Sequence, residues 1–339
     1  MTELIVANAL RSLGMVPARV AAYGQTSTIA HLPRTQRPRA WSPTLPVAAI
    51  PLLLWCDGAV VPETAAHAAL GRHFGTLLTA GLLTVKAQLV RAPFAVVPIE
   101  HGFVCFDFDN DDAAIEVPGE KLGEATADAR VCWPDDSSHH LIGALPAQLA
   151  PRVARWLDVG SGPAFAPLLR PRIANQIIAT DINPRALTMA NLGVGLSNLS
   201  HIQPLLADGV PTTAGMFELI TCNAPIPAPV HAASWHFAPP QVLQEFLRVA
   251  PTYLQPAGTI ILHALLSAHE VEQVQRQGGT AQITGYTDAA RPPNPGPGFA
   301  VVWWQPHRPG PCTSVHRELS TLRPHIDALD QPTWWAQAA

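Results

Sequence analysis

Hydrophobic and polar positions divide this chain into two parts with different rhythms. In the second part, short apolar runs rich in β-formers alternate with helical segments. ARWLDVG, QIIATDI, HIQPLLAD, FELITCNA and GTIILHALL read as strands, with PAFAPLLR, NPRALTMANLGVGL and QVLQEFLRVAPTYL as helices among them. Runs that are apolar on both faces and separated by helices predict a mostly parallel sheet covered on each side. AQITGYT and FAVVWWQP follow the last of these helices and fit an antiparallel edge. The expectation is an α/β, Rossmann-like, seven-stranded, mostly parallel sheet with helices on both faces.

The first part reads differently. Residues 2–13 have helical spacing, and the proline-rich stretch 24–46 reads as a long loop. Residues 62–83 have a proline start and helical spacing, with Gly71 and Gly75 splitting them into two short helices. TVKAQLV, FAVVPIE and GFVCFDFD then read as three strands, the last two joined near His101 and Gly102. Helices followed by a small antiparallel sheet resemble a winged helix. The predicted organisation is therefore a smaller, winged-helix-like α+β domain over residues 1–133, covering the substrate, and an α/β domain over 134–339.

Composition narrows the classes. Apolar residues make up 48% and charged residues 14%, so a sizeable core is expected and wholesale disorder is not. Net charge is -4, and only Lys86 and Lys121 are lysines, which argues against stable binding of nucleic acid by phosphate neutralisation. The five cysteines have no C-x-x-C pairing, which suggests reduced thiols and a cytoplasmic location. The apolar stretch 45–56 is too short to span a bilayer, and the N-terminal residues lack the pattern of a signal peptide. No metal is expected. The acidic run 107–116 has Asp112 where a calcium loop needs glycine and Pro118 where it needs glutamate, and His139-His140 has no further ligand at a useful spacing. RPPNPGPG at 291–298 reads as a stiff connector.

The candidate chemistry lies at the strand ends. Ligands of open parallel sheets bind at the carboxyl edge of the strands. The first strand ends in Asp158-Val159-Gly160-Ser161-Gly162, where the glycines allow a tight turn and close approach to a ligand. The second ends in Asp181-Ile182, placed to meet ribose hydroxyls, with Asn183 and Pro184 opening the next helix. The third ends in Asp208-Gly209, where a carboxylate can meet an adenine amino group, and the fourth in Asn223-Ala224-Pro225-Ile226. Polar groups on four successive strand ends describe a nucleoside pocket followed by a reaction site. The segment after the fourth strand, PVHAASWHF, adds His231 and His236 as candidate bases and Trp235 as a candidate wall beside Pro225.

The order DVGSG, ATDINPRAL, ADG, FELITCNAP resembles a class I S-adenosylmethionine-dependent methyltransferase, nearest to the group that modifies glutamine side-chain amides in release factors. The resemblance covers roughly residues 135–305. It implies S-adenosylmethionine as cofactor, with Asp158, Gly160 and Gly162 shaping the pocket for its methionine part. Asp181, with Ile182 beside it, would hold the ribose, and Asp208 with Gly209 would face the adenine. Asn223 would face both the cofactor and the acceptor. Two positions depart from the family pattern. Ala164 stands for the third glycine, a change expected to leave the turn intact. Asn-Ala-Pro-Ile stands for Asn-Pro-Pro-aromatic, so the flat aromatic face is lost. That departure, with the leading domain, points to a small-molecule N- or O-methyltransferase in a biosynthetic pathway, with no stable nucleic acid partner and no membrane. A protein acceptor, as in glutamine N5-methylation, is the alternative. A non-catalytic binder of the adenosyl cofactor and a dinucleotide-dependent oxidoreductase are the remaining readings.

Overall fold

A computed structural model describes residues 2–26, 29, 32, 40–108, 130–145, 151–211, 215–227, 237–287 and 298–318. The acidic run from 109 onward, most of the loop 27–39 and the connector 291–297 lie outside the described residues.

The second half builds one sheet from β1 (Val153–Val159), β2 (Ala174–Asp181), β3 (Ile202–Leu206), β4 (Phe217–Asn223), β5 (Leu254–Leu266), β6 (Thr280–Thr287), β7 (Gly298–Gln305) and β8 (Cys312–Glu318). Their order is β8-β6-β7-β5-β4-β1-β2-β3. The pairings within β3, β2, β1, β4 and β5 are parallel, and β7 runs antiparallel to both β5 and β6. The expected seven strands are therefore eight. The addition is β8, which pairs in parallel with β6 and is exposed at most positions, so its sequence lacks the apolar run that marks a covered strand.

Five helices accompany the sheet: α1 (Asp136–Ala144), α2 (Phe165–Leu169), α3 (Pro184–Ser197), α4 (Pro240–Val249) and α5 (Ala268–Gln277). Their ends follow from local chemistry. The Asp135 carboxylate accepts from Ser138 N at 3.2 Å to cap α1. Asn183 caps α3, accepting from Arg185 N at 2.9 Å, with Pro184 in the first turn and Asn198 in the left-handed conformation after the last. Ser267 and Glu270 form a capping box on α5.

Side chains alternate across the sheet. Leu157, Ile220, Ile260 and Leu262 enter a core shared with α4 and α5. Trp156, Ile177, Leu219 and Ile261 enter the opposite core. That second core does not stop at the sheet. It runs through Met189 and Leu196 of α3 into Phe103 and Phe106, then Trp55, Leu10 and Val6 of the first half. The leading residues are thus a layer laid on one face of the sheet, and their core is continuous across the expected 133/134 boundary.

In that layer, helix Thr2–Ser12 lies near its predicted place. The predicted break in 62–83 occurs at Gly71–His73, a short 3-10 turn between helices Glu63–Leu70 and Phe74–Thr79. The apolar stretch assigned no element is the wholly buried helix Ile50–Asp57. TVKAQLV, read as one strand, is a hairpin: Thr84–Lys86 pairs antiparallel with Leu89–Arg91. Its turn residues, Ala87 and Gln88, both have positive φ, a conformation that a sequence without Asn or Gly does not advertise. Among the described residues no single helix is long and apolar enough to cross a membrane.

The hairpin Ala95–Ile99 and Gly102–Phe106 is fastened to α3 at one point. Ser197 Oγ accepts from Phe103 N at 3.0 Å and donates to Phe103 O at 3.3 Å. A Cβ on Gly102 would lie 2.6 Å from Ser197 Cα, a backbone atom that cannot swing aside. Gly102→Ala is expected to destabilise the protein by about 1–3 kcal/mol, the usual cost of overpacking. Urea denaturation checks this, and an unchanged midpoint would show that the seam is loose.

Candidate functional site

The carboxyl edge of the sheet is organised by two aspartates with different tasks. Asp158 closes β1 and is only 3% exposed. Thr221 Oγ1, on β4, donates to its Oδ1, and Ser161 Oγ donates to its Oδ2. Trp156 Nε1 in turn donates to Thr221 Oγ1 at 2.7 Å. One carboxylate therefore ties the neighbouring strand to the glycine turn from beneath. Burial raises its pKa to about 6, with the Asp181 charge adding to that and the two hydroxyls opposing it.

Asp181 closes β2 and is partly exposed. Its Oδ2 accepts from Gly162 N and its Oδ1 from Asn183 N, both at 2.8 Å. The carboxylate keeps acceptor capacity for a ligand hydroxyl. Burial raises its pKa, against the three backbone N–H groups that favour the charged form. Behind it, the buried Thr180 hydroxyl lies 3.4 Å from Asp158 O and 3.3 Å from Gly209 O, linking the ends of β1 and β2 to the turn after β3.

Gly160, Gly162 and Gly209 have φ of 64°, 54° and 68°, and a Cβ on any of them would meet nothing within 4 Å. These turns thus border open space with bare backbone, beside a carboxylate with spare acceptor capacity. Ile182, next along, is 67% exposed, an unusual position for a large apolar side chain at a strand end. Asp208 and Gly209 are exposed at the end of β3. An open strand edge with a hydroxyl acceptor and an exposed apolar residue fits a nucleoside-bearing cofactor such as S-adenosylmethionine.

The turn forms with Ala164 in place of the third glycine, at a backbone conformation that costs an alanine strain. Ala164 adopts φ 60°, ψ 38°, the left-handed conformation for which glycine is favoured, at the start of α2.

Asn223 closes β4, and its side chain is held on both sides. Its Nδ2 donates to Ser137 Oγ of α1 at 2.8 Å, and its Oδ1 lies 2.9 Å from His263 Nδ1 of β5. His263 Nε2 lies 3.3 Å from His140 Nδ1, also of α1. Burial lowers His140 to about 4 and His263 to about 3, so both rings are neutral near pH 7. Sequence reading missed Ser137 and His263 and left His140 without a role. Their only signal was proximity to Asp135 and a lone histidine in an apolar strand, and pairing across about 120 residues leaves no local pattern.

Pro225 follows Asn223 on the way to a short parallel pairing of Ile226–Pro227 with Phe237–Ala238. His231, Trp235 and His236 lie outside the described residues.

Asp158 generates a pH-dependent term. Its folded pKa lies above the unfolded value of 3.8, so its contribution is present below that value and is lost as pH rises towards 6. Asp158→Asn keeps an acceptor for Thr221 and is expected to remove this fall, read as urea midpoints at pH 4 and pH 7 in both proteins. Equal slopes would contradict the raised pKa. For Ala164→Gly, relief of about 1–2 kcal/mol of left-handed strain outweighs about 0.5–1 kcal/mol of glycine entropy. A small rise in thermal midpoint is expected, and a fall would mean that the buried methyl contributes more than its strain costs.

Comparison with known proteins agrees with this architecture. Residues 128–280 match the methyltransferase small domain family. The ribosomal protein L11 methyltransferase of Pelobacter propionicus is 25% identical over 189 residues, covering 53% of this chain and 53% of that protein. The chain thus spans about half the length of the curated relative it matches. Among solved structures, a 16S rRNA methyltransferase of T. Thermophilus, in complex with AdoMet and guanosine, is 18% identical with a TM-score of 0.41, covering 76% of this chain and 67% of that one. A ribosomal protein L11 methylase of Lactobacillus delbrueckii subsp. bulgaricus is 17% identical with a TM-score of 0.34, covering 47% of this chain and 71% of that one. The expectation of a small-molecule acceptor and no nucleic acid partner is corrected by these names, which point to a ribosomal protein and to rRNA. The likeness to the release-factor group in particular is not among these matches. The match of residues 128–280 to the methyltransferase small domain family accords with the Rossmann-like, mostly parallel sheet that these residues help to build.

Proposed function

We propose that the chain transfers the methyl group of S-adenosylmethionine to a nitrogen atom of a protein acceptor. The observation that carries the cofactor part is the bare glycine backbone, bordering open space, beside Asp181. The protein acceptor rests on the curated relative named for ribosomal protein L11. A cytoplasmic location accords with five cysteines that form no disulfide among the described residues.

The cofactor supplies a methyl group on a sulfonium, with its own leaving group. The chain's task is alignment and exclusion of water. In this reading the turn of Gly160 and Gly162 follows the methionine part, with Asp158 stiffening it from below. Asp181 accepts from the ribose hydroxyls, Ile182 covers the adenine, and Asp208 and Gly209 border its edge. Asn223 presents its carbonyl oxygen to an N–H of the acceptor beyond the sulfur, with Pro225 as wall. An N–H donor suits that oxygen better than an acceptor-only group, since one of its two lone pairs is met by His263 and the other is still able to accept.

The test uses S-adenosylmethionine labelled in its methyl group, incubated with the protein and intact ribosomal subunits, which are then separated into protein and RNA. Label in the protein fraction is expected. Label in RNA alone would overturn the protein acceptor and leave methyl transfer standing. No label, with no cofactor binding by calorimetry, would overturn both. Asp181→Asn is expected to weaken cofactor binding about 10- to 100-fold, the worth of one charged hydrogen bond. Unchanged affinity would remove Asp181 from the ribose site.

A further inference from the structure

Asn223 can be placed in its site in two ways, related by a flip that exchanges its oxygen and nitrogen. The groups around it decide which, and the decision begins at Asp135. An ionised carboxylate only accepts, so the Ser137 hydroxyl, bonded to Asp135 Oδ1, gives its single proton there. Ser137 Oγ can then only accept from Asn223, 2.8 Å away, which turns the amide nitrogen towards Ser137 and the amide oxygen towards His263. That oxygen lies 2.9 Å from His263 Nδ1, so Nδ1 carries the ring proton. A neutral His263 then has a bare Nε2, which accepts from His140 Nδ1 at 3.3 Å.

Every donor in this chain points the same way: His140 to His263, to Asn223, to Ser137, to Asp135. Both outer contributors, Ser137 and His140, are three residues apart on α1 and so share a face, while Asn223 and His263 are directly paired across β4 and β5. His263 is 2% exposed and stacks on Phe299, with ring centroids 5.9 Å apart, which places it behind Asn223 and out of a ligand's reach. His140 faces His263 and the ring of Tyr286, with Asp135, Asp136 and His139 as the charged or titratable neighbours on its own segment.

We propose that Asp135, Ser137, His263 and His140 form a one-way hydrogen-bonded relay that fixes the flip of Asn223, which makes His263 a positioning residue for an acceptor that offers an N–H. The proposal rests on the reading of Asn223 as an acceptor-binding group. With one lone pair of Oδ1 taken by His263, the other stays available to an N–H. The opposite flip would present an NH2 group there and repel the same acceptor.

Two polar variants of similar character separate this role from a structural one. Asparagine at 263 places an amide nitrogen near the position of Nδ1, whereas glutamine places its amide near Nε2 and loses the contact with Asn223. His263→Asn is expected to keep methyl transfer to ribosomal protein within about threefold of the parent. His263→Gln is expected to lose at least tenfold, with S-adenosylmethionine affinity by calorimetry unchanged in both. Equal activities in the two variants, or a better His263→Gln, would overturn the proposal. Nitrogen-15 NMR of the imidazoles is independent of turnover and is read on the full chain. His263 should be protonated at Nδ1 and bare at Nε2 from pH 5 to 8; protonation at Nε2 would overturn the relay. Should no acceptor be methylated by the parent, the functional reading falls, and the tautomer still decides the relay.

Discussion

The carboxylate of Asp158 is the constraint on which the edge of the sheet depends. A charged group so deeply placed is costly unless its lone pairs are met. Here they are met by hydroxyls from two different segments, one on the adjoining strand and one in the glycine turn. The turn therefore cannot relax independently of β4, and Asn223 lies two residues beyond Thr221 on that strand. The geometry at which a ligand would bind and the geometry at which an acceptor would react are set by the same buried oxygen pair. Trp156, by donating to Thr221, extends that frame into the core on the far side of the sheet.

Asp181 complements it from above. Its oxygens accept from backbone N–H groups of the glycine turn and of the cap of α3, so among the described residues the group at this open edge is held by backbone. The cap continues outward, since Arg185, whose N–H meets Asn183, forms an ion pair with Asp107 of the leading layer. The strand edge at Asp181 is thus connected to the first half of the chain through a short run of polar contacts as well as through the core.

Much of the second half was legible in the sequence because its signals are local. A strand that ends in a carboxylate and two glycines, and another that ends in Asp-Ile-Asn-Pro, carry their turns and caps within a few residues. Helices α1 and α5 were missed although Asp135 and the pair Ser267 and Glu270 cap them locally, but the other missed elements lack such signals. β8 is exposed and polar, the buried helix Ile50–Asp57 is apolar all round and so has no periodicity, and the turn at Ala87–Gln88 uses neither glycine nor asparagine. The strain at Ala164 was not legible, because residue type alone does not reveal φ. The histidine pair was invisible for a different reason: its partners come from α1 and β5, and only the fold brings them together.

The shared core on one face of the sheet has a consequence for how such a chain can change. Where a leading unit has its own interior, recombination can exchange it for another and leave the catalytic half folded. Here Phe103, Phe106 and Leu10 share one interior with Met189 and Trp156. A graft would have to reproduce that relief side chain by side chain, so the two halves are bound to diversify together, by substitution rather than by exchange of modules.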